Sequence, residues 1–139
     1  MTLTLHVKIC GALLIALAAL HPFFAKRFRW REELAGVSLL TRQVFWVHCL
    51  FIALVLVQFG ILSIVFTDVL LQCTPLAKIV LGGFVIFWAV RLIAQHLVYS
   101  AELWRGHRFN TAMHVLFTAL WTYLVAIYGA ALWLQFNDS

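Results

Sequence analysis

The sequence predicts an all-α integral membrane protein, a four-helix bundle of antiparallel up-down topology with both termini outside. Three observations predict it. The 139 residues are 65% hydrophobic and 11% charged, with a mean hydropathy of +1.00. A soluble domain carries roughly a quarter charged residues and has no place for so large an apolar excess, whereas lipid solvates it. Four apolar runs each approach the roughly 20 residues that cross a hydrocarbon core. The Lys and Arg residues collect beside those runs with a bias to one side. The length suits a single transmembrane domain over residues 1–139.

The first span covers about 9–25, "ICGALLIALAALHPFFA". Its positive charges follow the apolar run and no A-x-A site ends it, so it reads as a retained helix and not a cleaved signal. A basic loop over 26–43 comes next, with Lys26, Arg27, Arg29, Arg31 and Arg42. Its segment "KRFRWREELAGVSLL" is expected to lie along the membrane surface, basic start towards anionic lipid.

The second span covers about 44–66 and the third about 76–100. Thr74-Pro75 reads as N-cap and first helical residue, since proline has no N–H to lose there. Gly106 suits the glycine position that ends the third helix, and Asn110 suits the cap of the fourth. The basic loop is drawn over 101–110, with a connection of about five residues that would make a tight antiparallel hairpin. The fourth span covers about 111–134.

Orientation follows from the cations. Five lie in the first loop and Arg105 and Arg108 in the third, against Lys8 and Lys78 opposite. This places both basic loops in the cytoplasm, of a bacterial inner membrane by expectation. Trp30, Trp46 and Trp104 then mark the cytoplasmic interface and Trp133 the outer one. The net charge of +5 is explained by this bias, so nucleic acid is not an expected partner. Expected partners are the lipid bilayer and other membrane subunits or further copies of the chain. Of three cysteines, Cys10 and Cys73 fall on one side, where a disulfide competes with ordinary packing of reduced thiols.

Each span carries a histidine near its cytoplasmic end: His21, His48, His96 and His114, within roughly 5–10 Å of a common depth by helix rise. At 100° per residue, Arg91, Gln95 and Glu102 share one stripe of the third helix. Thr111, His114, Thr118 and Thr122 share one on the fourth, and the hairpin makes the two stripes neighbours. His96 lies about 140° from Arg91, which argues against a shared cavity.

Two imidazoles from different helices can ligate haem iron. His48 with His114 is the preferred pair for haem b, with His21 or His96 as substitutes; zinc or copper are the other metals considered. Arg91 would pair with a propionate, a quinone oxygen or a lipid phosphate. This describes a subunit serving quinone-linked electron transfer. The alternative is a cofactor-free accessory subunit of a larger membrane complex, its histidines bonded to headgroups, carbonyls or water and its arginine snorkelling. A third reading is a small oligomeric transporter or channel. No G-x-S-x-G, H-E-x-x-H, phosphate loop or Glu-x-x-His motif is present, so no catalytic residues are assigned and an enzyme acting alone is not expected. Gly82-Gly83 is expected to permit close helix approach.

Overall fold

A computed structural model describes residues 2–100, 102 and 106–137, and all regular structure among them is helical. The elements are α1 (Leu3–Arg27), α2 (Trp30–Glu33), a 3-10 turn (Leu34–Gly36), α3 (Leu39–Val65), α4 (Thr67–Leu70), α5 (Pro75–Leu97) and α6 (Arg108–Asn137). Four of these, α1, α3, α5 and α6, are long and apolar enough to cross a membrane. This is a small membrane protein by its helices. The chain divides into two compact units, Val7–Thr67 and Met1–His6 with Asp68–Ser139.

In the unit Val7–Thr67, α1 continues past the apolar run into Lys26 and Arg27, with Pro22 inside it. Proline cannot donate to the carbonyl four residues back, and His21 Nδ1 donates to the neighbouring Leu17 carbonyl at 3.1 Å. Arg29 then stops the helix by entering the left-handed region at φ 50°, ψ 38°. A non-glycine residue there costs roughly 1–2 kcal/mol. Two short helical turns follow, and Ser38 caps α3 by accepting the Thr41 N–H at 3.2 Å. The stretch expected to be a basic loop over 26–43 is therefore mostly helical. Leu39, Leu40 and the Ser38 cap start α3 five residues before the apolar run expected at 44.

The helices α1 and α3 approach at Gly11 and Gly60. A methyl group added to Gly11 would meet the Gly60 carbonyl oxygen at 2.7 Å, and one added to Gly60 would meet the Gly11 oxygen at 2.9 Å. Hydrogen in place of a methyl is what lets these backbones touch. Gly82 and Gly83, expected to serve this purpose, have nothing within 4 Å of such a methyl, because Gly83 lies on the exposed side of α5 and Gly82 is only half-buried.

In the other unit, Thr74 accepts the Ala77 N–H at 3.2 Å and Pro75 opens α5, as the Thr-Pro pair predicts. Buried positions recur at Ala77, Leu81, Phe84, Trp88 and Gln95 on α5 and at Trp121, Leu124, Tyr128, Ala131 and Gln135 on α6. These steps of three, four and, from Trp88 to Gln95, seven residues are the seam of one helix packed on another. The pairs run in opposite directions along the two helices: Phe84 meets Tyr128, Trp88 meets Trp121, and Gln95 meets His114. The helices are thus an antiparallel hairpin. Near the far end, Gln135 Nε2 donates to the Leu70 carbonyl at 2.6 Å, and the Cys73 thiol donates to the Gln135 carbonyl at 3.3 Å. In the same unit His6 Nδ1 meets the Tyr123 hydroxyl at 2.8 Å, which gives the polar start of α1 a partner.

The hairpin connection differs from its expected form. Helix α5 stops at Leu97, where Val98 and Tyr99 favour helix poorly and the Ser100 hydroxyl accepts the Glu102 N–H at 3.4 Å instead. Helix α6 starts at Arg108, with Thr111 returning both its N–H and its hydroxyl to the His107 carbonyl. The link therefore covers 98–107, about twice the expected length. Gly106 adopts φ 84° but lies well beyond the end of α5, and Asn110 sits inside α6 instead of capping it. Trp104 and Arg105 lie outside the described residues. Cys10, Cys49 and Cys73 are free thiols, Cys10 buried and Cys73 exposed.

Candidate functional site in the hairpin

The polar residues of α5 and α6 meet at one level of the hairpin. Arg91 is half-buried, two turns before the end of α5, and its Nη1 donates to Gln95 Oε1 at 3.2 Å. Spacing of four residues puts both side chains on one face of the helix. Gln95 is 4% exposed, and its Nε2 lies 2.8 Å from His114 Nδ1 on α6. The two contacts orient one another. An amide whose oxygen accepts from Arg91 must turn its N–H towards His114, so the imidazole accepts at Nδ1 and carries its proton on Nε2, a tautomer assigned by its partners.

Aromatic rings complete the site. The Arg91 guanidinium carbon lies 5.0 Å from the Trp121 ring centroid and 5.7 Å from that of Tyr99. An arginine over an indole face gains attraction from the ring quadrupole, more so where water is scarce. Trp121 stacks on Trp88 at 5.2 Å and on Phe117 at 5.6 Å, each within 9° of parallel. Trp121 is 4% exposed, and its Nε1–H and the Thr118 hydroxyl are buried with no hydrogen-bond partner among the described residues. A buried donor left unmade costs about 1–3 kcal/mol. His96 is exposed, yet its ring lies edge-on to that of His114 at 5.7 Å.

The expected site residues therefore separate into groups. Arg91, Gln95, His96 and His114 come together, and Thr118 lies one turn from His114 on the same helix. Thr111 and Thr122 are exposed, each returning its hydroxyl to the carbonyl four residues back, at 3.1 and 2.8 Å. Glu102 is exposed and lies beyond α5, so the helical stripe that joined it to Gln95 ends before reaching it. His21 and His48 belong to the other unit. Each donates Nδ1–H to the carbonyl four residues back, His48 to Val44 at 2.8 Å. This leaves their Nε2 lone pairs as possible metal ligands.

The fit to haem or metal can be judged from these protonation states. Ligation through Nε2 suits His21 and His48 as they stand, while His114 presents N–H at that atom unless the Gln95 amide turns over. Among the described residues no three His, Cys, Asp or Glu side chains form a metal-holding group. From sequence, Trp121 lies deep in its span and reads as packing against a neighbouring helix or a cofactor face, and it does stack on Trp88 of α5. Only the hairpin register puts it under Arg91. No protein-family model, curated protein or solved structure matches this chain.

Proposed function

We propose that this chain is a small multi-pass membrane subunit whose α5–α6 hairpin binds the oxygen-bearing head of a lipid-soluble molecule, with quinones as the redox-active class. The carrying observation is the buried Trp121 Nε1–H, which has no partner among the described residues and lies beneath a guanidinium with donors beyond the one given to Gln95. Arginine has five N–H groups and no acceptor, and indole has a donor only. A site rich in donors selects a carbonyl, carboxylate or phosphate oxygen. Its position inside two apolar helices selects a ligand that partitions into lipid. His114 is aligned by Gln95 and supplies a third polar group at the same level. In this role the chain serves quinone-linked electron transfer as a component of a larger membrane assembly.

The test is titration of the purified protein in detergent with a short-chain alkyl benzoquinone, following tryptophan fluorescence. Saturable quenching is expected, with affinity lowered roughly tenfold in Trp121→Phe, which keeps the ring and removes one hydrogen bond of about 1–1.5 kcal/mol. Non-saturable quenching, or binding equal in Trp121→Phe, would overturn the reading. The cluster would then be a structural clamp. That second reading is favoured by one observation: Gln95 already bonds to both Arg91 and His114.

A further inference from the structure

A second site lies in the unit Val7–Thr67. A cavity of about 640 Å³ opens where the end of α1, the turn α2 and the first half of α3 converge. Its floor is apolar, from Ala18 and Pro22 on α1 to Leu50 and Ala53 on α3, and its rim carries Lys26, Arg29 and Arg31. Trp30 and Trp46 line the same rim, with their ring centroids 6.3 Å apart and Phe45 set edge-on to both.

The charges at the rim do not cancel. Glu32 is the one carboxylate lining it and forms an ion pair with Arg29. Lys26 and Arg31 have no carboxylate partner among the described residues. The αL conformation of Arg29 folds α2 back so that residues on both sides of the break reach one opening. From Lys26 to Ala18 the floor runs along α1 for roughly 12 Å by helix rise, all of it inside a membrane-spanning helix.

We propose that this groove binds one anionic phospholipid, its phosphate between Lys26 and Arg31 and an acyl chain along the floor between α1 and α3. Charge complementarity names the head, since Lys and Arg donors suit a phosphate. The apolar floor names the tail, because a free inorganic phosphate would leave it uncovered. Trp30 and Trp46 are of the ring type that membrane interfaces favour, an apolar body with one polar N–H.

The experiment is native mass spectrometry of the full chain from mixed micelles of phosphatidylcholine and phosphatidylglycerol. One phosphatidylglycerol should be retained per chain, in preference to phosphatidylcholine, and equally in a Lys78→Gln control. The double variant Lys26→Gln/Arg31→Gln should lose roughly thirtyfold in apparent affinity, the expected effect of removing two cations near a lipid headgroup. Ala53→Phe, which fills the floor, should reduce retention with the cations intact. Circular dichroism verifies that each variant stays helical, and a variant that does not is replaced by Lys26→Gln alone. Equal retention of both lipids, or no change in the double variant, would overturn the proposal. So would displacement by millimolar inorganic phosphate, which would make the site one for the free anion. Trp121→Phe should leave retention unchanged, so this result stands or falls independently of quinone binding.

Discussion

Replacing Gly11 or Gly60 with alanine should destabilise the protein, although the same change elsewhere in its helices should not. At Gly60 the new methyl would stand 2.6 Å from Ile15 Cγ1 and 2.9 Å from the Gly11 carbonyl oxygen. Neither gives way cheaply, since Cγ1 sits on the branched Cβ of a helical isoleucine whose χ1 is nearly fixed, and the oxygen belongs to the backbone. Restoring a contact of 3.4 Å parts the helices by roughly 0.5 Å there, and by roughly 0.7 Å for Gly11, whose methyl meets the Gly60 oxygen at 2.7 Å. A gap of that size forfeits about a quarter to a half of the dispersion energy of each contact across the crossing. Overpacking of this kind costs about 1–3 kcal/mol, and alanine returns about 1 kcal/mol of helix propensity. The net loss is about 0–2 kcal/mol, with Gly11→Ala towards the upper end because its methyl meets the closer backbone oxygen. Gly82→Ala and Gly129→Ala are the controls, since nothing lies within 4 Å of a methyl at either position. They should be neutral or stabilising by up to about 1 kcal/mol. Unfolding in a mild detergent titrated with a denaturing one, followed by tryptophan fluorescence, reads all four. Stability in Gly11→Ala equal to or above that of the parent, or a common shift in all four variants, would refute the argument.

Other expectations follow from single contacts. Gln135→Leu should cost about 1–3 kcal/mol in the same assay, because it leaves the Leu70 carbonyl without the donor that now reaches it at 2.6 Å. Thr74→Ala and Ser38→Ala each remove a side-chain acceptor at a helix start and should cost about 1 kcal/mol, with Thr74→Ser and Ser38→Thr nearly neutral. Haem added to the purified protein should give a ligand-dependent Soret shift that His21→Ala or His48→Ala weakens more than His114→Ala does. Dependence on His114 alone would contradict the protonation states assigned here.

Helix identity was legible because it depends on short-range terms. Runs of apolar residues near the thickness of a bilayer admit few alternatives, and the Thr74-Pro75 start follows from what those two side chains can and cannot donate. Ends were less legible. Residues 39–43 and 108–110 join helices although they are polar or mixed, since an amphipathic helix end needs only its caps and its own ladder. The hairpin link shows the converse: Gly106 has the conformation expected of a helix-terminating glycine, but a local turn at Val98–Ser100 ends α5 first.

The candidate site divides the same way. Helical phase was enough to put Arg91 and Gln95 on one face of α5, and to make His114 their neighbour once the hairpin was assumed. Phase alone could not say which threonines turn inward, because a hydroxyl bonded to its own helix carbonyl satisfies either face. Nor could it pair Arg91 with Trp121, or Gly11 with Gly60, since each contact depends on the axial register of two helices. Composition and periodicity thus determined that this chain is helical and suited to lipid, because each span's fit to the bilayer is a property of that span. Register, close approach and the direction of a hydrogen-bonded amide were decided only by tertiary structure, because they are relations between surfaces distant in the chain.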